Sequence, residues 1–238
     1  MKKSALLISS LLIVGLLGGC GGSSSPSGGG SSATKTPVPT ETPKTISVDM
    51  ELGSGNYTSG IDFPEGKYDI EAISGGGNVS SSNVFSGGIN AIMGTEEKNK
   101  EVGTEMYEQL YENIDLPEGD VLSVSGGVVV RISCDKASGD ALKTRNQEIT
   151  ETVDLGNGNF VSGDDFPAGI YDIVAVKGGG NVSTDNMYSG GINAIMGTAA
   201  ADAEMGGGFY ELQYKNIDLS EGVTLTIDGV KIQLVPSK

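Results

Sequence analysis

The sequence predicts an all-β protein: two tandem, small antiparallel modules of β-sandwich or jelly-roll-like build, carried behind a disordered tether. Three observations predict it. Glycine supplies 38 of 238 residues, about twice the usual ~7% share, which implies many turns and little helix. Short stretches alternate polar and apolar residues, the period of a half-buried strand. Residues 52–119 recur as 155–222 at a constant offset of 103, with 42 of 68 positions identical, so one folding unit is written twice.

The chain opens with Lys2 and Lys3, then a 13-residue, mainly apolar run from Ala5 to Leu17. A bilayer-spanning helix needs about 20 apolar residues, so the run is an export signal rather than an anchor. Its end, Leu17-Gly18-Gly19-Cys20, resembles the lipobox of bacterial lipoproteins. That resemblance implies cleavage between Gly19 and Cys20 and diacylglyceryl transfer to the Cys20 sulfur. It places residues 1–19 as signal peptide and the protein on the outer, extracytoplasmic face of the cell membrane. One acyl chain holds only marginally, whereas two or three anchor stably.

Residues 20–45 form the tether. Gly21 to Ser32 is Gly and Ser apart from Pro26, a flexible coil. Ala33 to Thr45 carries five Thr with Pro37, Pro39 and Pro43, a stiffer spacer. Together they reach roughly 25–30 Å, more where proline extends them.

The body divides into module one at 46–134, a polar joint at 135–147 and module two at 148–238. With 4 basic against 15 acidic residues in the first and 4 against 13 in the second, mutual repulsion favours two separate beads on a string.

Within each module, Lys67-Tyr68-Asp69-Ile70-Glu71-Ala72, Val121 to Val124 and Val230 to Leu234 alternate as strands do, and Thr224 to Ile227 does so in weaker form. Residues 96–108 resist the strand reading and differ most between copies: Thr95 to Glu101, and Ala199 to Glu204 in the second copy, have helical composition, so one helical turn or a loop is expected there. Asp62-Phe63-Pro64-Glu65-Gly66 and Asp115-Leu116-Pro117-Glu118-Gly119 read as type I turns with proline second and glycine fourth. Module two keeps Asp165-Phe166-Pro167-Ala168-Gly169 and replaces the second proline by Ser220.

Gly55 to Tyr68, and again Gly158 to Tyr171, resemble the Gly-x-Asp-Ile-Pro-Ala-Gly-x-Tyr modules of secreted Gram-positive lipoproteins, which also tend to end in a strand like Gly119-Asp120-Val121-Leu122. Phe63 and Phe166 stand at the Ile position. The resemblance implies location and fold. It implies no activity and transfers no site residue.

Composition excludes much chemistry. With no His and two Cys, His-dependent triads, His-ligated zinc and Cys₄ sites cannot form. A formal charge of −16 disfavours nucleic acid, whose phosphates need Lys and Arg. Gly75-Gly76-Gly77 and Gly178-Gly179-Gly180 lack a phosphate-loop continuation. Ser133-Cys134-Asp135-Lys136 matches the Ser-x-x-Lys acylation motif without its companions. No enzyme, cofactor or metal site is expected, and Asp154, Asn157 and Asn159 lack calcium-loop spacing. Cys134, the only thiol left once Cys20 is lipidated, is either a small buried apolar residue or a reactive surface thiol.

Candidate ligand contacts are Tyr107, Tyr111, Tyr210 and Tyr214, which would share a strand face, and Asn90 and Asn193 in the stretch Ser86–Thr95 repeated as Ser189–Thr198. Both sets also fit core positions. The functional expectation is a lipid-anchored, bivalent surface protein whose modules bind a wall glycan or a surface protein. The alternative is a structural or accessory lipoprotein, an acidic spacer or membrane-complex partner with no free ligand.

Overall fold

The computed structural model describes residues 44–238. The expected signal peptide, Cys20 and all but the last two residues of the expected tether lie outside the described residues. The described chain is all-β apart from two short helices.

The first repeat contains β1 (Thr45–Leu52), β2 (Gly55–Thr58), β3 (Gly66–Ser74), β4 (Gly76–Ser81), β5 (Asn90–Gly94), α1 (Glu96–Val102), β6 (Leu110–Leu116), β7 (Val121–Ser125) and β8 (Val129–Ser138). The second contains β9 (Val153–Leu155), β10 (Gly158–Val161), β11 (Gly169–Thr184), β12 (Asn193–Gly197), α2 (Ala199–Glu204), β13 (Gln213–Leu219) and β14 (Thr224–Pro236). In the first repeat the orders are β1-β8-β3-β6 and β2-β7-β4-β5. In the second, β11 and β14 each run through both layers, pairing with β13 and β9 at one end and with β12 and β10 at the other.

That difference follows from one residue. Ser125-Gly126-Gly127-Val128 separates β7 from β8, whereas Asp228-Gly229-Val230, shorter by one, lets β14 continue unbroken.

Alternation explains the cores. Tyr68, Ile70 and Ala72 of β3 point inward and join Leu122, Val124, Val130 and Ile132. Tyr171, Ile173, Leu225, Ile227, Ile232 and Leu234 form a second, separate cluster. Each Asp-Phe-Pro-x-Gly-x-Tyr segment feeds its own core. The Tyr68 hydroxyl donates to the Pro64 carbonyl at 2.6 Å and Tyr171 to Pro167 at 2.7 Å. Phe63 and Phe166 stand edge-on to these rings at 5.4 and 6.1 Å, the favoured aromatic geometry. Asp62 and Asp165 accept the N–H groups of Thr58 and Val161 at 2.6 and 2.7 Å. The Asp-Phe-Pro-x-Gly-x-Tyr motif is thus a corner-forming device.

The short helices lie where composition placed them. Thr95 caps α1 by accepting from the Lys98 N–H, and Gly103 ends it in the left-handed region at φ 72°, as such caps require.

Three expectations need correction. In the second cassette the Asp120 N–H donates to the Pro117 carbonyl and Gly119 has φ 87°. Proline is therefore first and glycine third, a type II turn. Only the glycine is conformationally demanded there, and Ser220 can replace proline because Gly222, at φ 81°, keeps the requirement. Next, β8 continues through Ser138 with Ala137 fully buried, so the first four residues of the expected joint belong to the first repeat. Last, the repeats are not separate beads. Residues 44–238 fall within one compact unit, and β13 of the second repeat pairs in parallel with β2 of the first through Lys215 and Gly55. Local hydrogen bonds and one buried ion pair outweigh a net repulsion that solvent screens.

Candidate functional site

The seam between the repeats gathers most of the polar chemistry that is not simple turn capping. Its backbone contact is the Lys215 N–H donating to the Ser54 carbonyl at 3.0 Å. A Cβ on Gly55 would sit 2.9 Å from the Lys215 Cβ, so glycine is needed for this approach. Asn56 donates to the Gly190 carbonyl at 2.9 Å, oriented by the Ser123 hydroxyl on its oxygen at 2.8 Å. From the joint, Arg145 reaches both oxygens of Asp62, at 2.6 and 2.5 Å, and Asn216 donates to the same carboxylate at 3.4 Å. That pair is nearly buried, with side-chain exposures of 9% and 13%.

Glu211 crosses the seam. One oxygen accepts the Gly126 N–H at 2.8 Å, and the other is buried without a partner. Burial pushes its carboxyl above the usual carboxylate range, against the opposing pull of the neighbouring Ser54 hydroxyl and the Gly126 N–H. Tyr214 lies beside it, raised first by burial and then by Glu211, and Tyr57 lies beside Tyr214, raised first by burial and then by Asp172 and Asp62.

The four candidate tyrosines do not form one platform. Tyr107 lies against the cross-strand pair Gly76 and Gly94, and Tyr210 against Gly179 and Gly197, where added Cβ atoms would come within 2.4 to 2.9 Å of the rings. Tyr111 packs half-buried on the first core, while Tyr214 is buried beside the seam. Asn99 brackets the Tyr107 backbone with two hydrogen bonds of 2.8 and 2.9 Å. Its counterpart Asp202 accepts the N–H groups of Gly208, Phe209 and Tyr210, which hold its carboxyl below the usual range. The most divergent stretch therefore builds the same structure twice.

The repeated stretch Ser86–Thr95 splits by face. Ile89 and Met93 are buried, with Ile192 and Met196 opposite them, while Asn90 and Asn193 are exposed beside the half-exposed Ile92 and Ile195. At the tips of the preceding loops, Phe85 is 99% and Tyr188 91% exposed.

Glycine triplets and acids have structural duties. Gly75 and Gly178 take φ 67° and 75°, and a Cβ on Gly77 or Gly180 would fall 2.0 Å from a backbone oxygen of the crossing strand. Asp154, Asn157 and Asn159 accept from Gln233, the Gly229 N–H and Thr226 respectively, all on β14. No cluster of three metal-ligating side chains occurs among the described residues. Cys134 is buried in the first core. No helix among the described residues is long and apolar enough to cross a membrane.

A cleft of about 630 Å³ lies beside α1 and is lined by Glu96, Asn99, Lys100, Glu105, Tyr107 and Glu108. In the second repeat the positions of Glu96, Lys100 and Glu105 hold Ala199, Ala203 and Gly208, so its chemistry is not duplicated. No protein-family model, characterised protein or solved structure matches this chain.

Sequence reasoning missed the seam. Arg145 carried a signal: it is a lone arginine in the joint of an acidic chain that has only one other, Arg131.

Proposed function

We propose that the protein is a lipid-anchored, extracytoplasmic surface protein whose rigid, acidic two-repeat body serves in assembly. It would meet partner proteins through strand edges and loop tips rather than enclose a ligand. The observation that carries this is the asymmetry of the repeats. A bivalent binder needs the same site free twice, yet Tyr214 is drawn into the seam while Tyr111 is not. The charged cleft beside α1 becomes Ala and Gly in the second repeat. The sulfur of Cys20 would hold the acyl chains, and the Gly/Ser/Pro-rich tether would carry the body off a membrane whose anionic lipids repel it.

Duplicated recognition of a glycan or protein remains the second reading, favoured by one observation: Phe85 and Tyr188 project from equivalent loops in both repeats.

Two measurements separate these proposals. Membrane fractionation of the full chain beside Cys20→Ser should move the variant to the soluble fraction, and a variant that stays on the membrane would refute the anchor. Thermal shift against wall polysaccharides and peptidoglycan fragments should be flat. A ligand binding only the native state at a hundredfold excess over Kd adds about 2.7 kcal/mol, so a clear upward shift would replace the assembly role by the binding role.

A further inference from the structure

We propose that the chain associates with itself head to tail. The β6 edge and 82–88 loop of one molecule's first repeat would dock on the β10 edge of another's second repeat, repeating the contact made inside each molecule. This names the partner in the assembly role above and rests on that reading.

The internal seam joins two different surfaces, β13 with the Gly190 loop and β2 with Asn56. Each has a counterpart at the offset of 103. The counterpart of β13 is β6, with Glu112 for Lys215 and Asn113 for Asn216. The two asparagines share the rare positive φ, 62° and 56°. The counterpart of β2 is β10, with Gly158 and Asn159 for Gly55 and Asn56. The orienting hydrogen bond is also kept, Thr226 to Asn159 at 2.8 Å as Ser123 to Asn56 at 2.8 Å.

Among the described residues both counterparts are open. β6 is the outermost strand of the first repeat's sheet, and β10 is the outermost strand at the far end of the other sheet. In the second repeat the edge of β13 is covered by β2, and in the first repeat the edge of β2 is covered by β13. Each molecule therefore exposes one unpaired copy of each half of an interface it already forms. Unpaired edges are templates for strand addition. A contact between two different surfaces propagates as an open chain unless its rotation closes a ring.

The substitutions between copies set its strength. Glu112 stands where Lys215 stands inside, and Glu108 would approach Asp228, the counterparts of Glu211 and Ser125. No second Arg145 meets Asp165. Like charges make the intermolecular contact weaker than the internal one and more favourable as salt rises. Crowding on a membrane surface supplies the concentration it needs.

The test uses the full chain in membranes, with a short bis-maleimide as the probe. Glu112→Cys and Asn157→Cys, both at exposed positions, are introduced singly, on differently tagged chains, and together. The expected result is a mixed dimer from the two singles and a ladder from the double variant, with neither single linking to itself. Glu112→Lys, read by multi-angle light scattering of the detergent-solubilised chain, should raise the associated fraction several-fold at low salt, and Asn159→Ala should lower it. Self-linking of either single variant at the same rate, or no ladder, would overturn the proposal. An amine-directed reagent on the unmodified chain separates this from the wider reading. Products with other membrane proteins but no ladder would leave the assembly role and defeat self-docking, and a chain that stays monomeric and unlinked would defeat both.

Discussion

Arg145 and Asp62 are joined by two hydrogen bonds from one guanidinium nitrogen, at 2.6 and 2.5 Å, across 83 residues of chain. Asp62 also accepts the Thr58 N–H at 2.6 Å, so one carboxylate fixes a corner of the first repeat and fastens the joint to it.

Arg145→Met leaves Asp62 nearly buried without its cation. Removal of one partner of a buried pair costs roughly 3–5 kcal/mol. Solvent reaches this pair a little, so a loss at the lower end of that range is expected in urea unfolding, with a single transition splitting into two as the repeats uncouple. A loss below about 0.5 kcal/mol, the range of a surface pair, would contradict the burial.

Glu211 gives the seam a pH dependence. Its folded-state pKa lies above the ordinary carboxylate value of ~4.3. The folded protein therefore holds that proton more tightly than the unfolded chain, and this group's contribution improves as pH falls through the raised pKa and is lost as pH rises through it. Glu211→Gln should unfold later than the parent at neutral pH and show a flatter profile towards pH ~5. An unchanged difference between the two across that window would refute it.

Tyr68→Phe and Tyr171→Phe each remove one hydroxyl hydrogen bond while keeping the ring. A loss of about 1 kcal/mol apiece is expected, and the double variant should show the sum, because the two residues lie in separate cores. Equilibrium denaturation of the three variants checks both statements.

Glycines separate into two kinds. Ala at Gly77 would place a methyl 2.0 Å from the Ser125 carbonyl oxygen, which requires the sheet to move. Ala at Gly119 meets nothing within 4 Å but must hold φ 87°, a strain of about 1–2 kcal/mol. Gly77→Ala should be the more damaging by melting temperature, and the reverse order would contradict the packing.

The duplication, the alternating strands and the two short helices were legible because each rests on local pattern. Tyr68 reads as a strand residue, and it is one. The seam was not legible because it depends on surfaces brought together across 134 and 154 residues, as between Asn56 and Gly190 or Asp62 and Asn216. Net charge also gave the wrong answer: it measures the average repulsion, while Arg145 acts at one point. Tyr111 and Tyr214 show the limit from another side. They occupy identical positions in the two copies, yet their environments differ because only one has the other repeat beside it.

The missing residue between β7 and β8 has a consequence for how the body loosens. In the first repeat Gly75, and the Gly126-Gly127 pair, interrupt the strands between the two layers, so the layers can part there with few ladder bonds broken. In the second repeat β11 and β14 each remain one strand across the same region, although their pairing shifts register near Lys177 and between Gly178 and Asn181, and the same parting breaks more ladder bonds. Amide exchange should accordingly begin in the repeat nearer the N-terminus and reach the far repeat only with global unfolding.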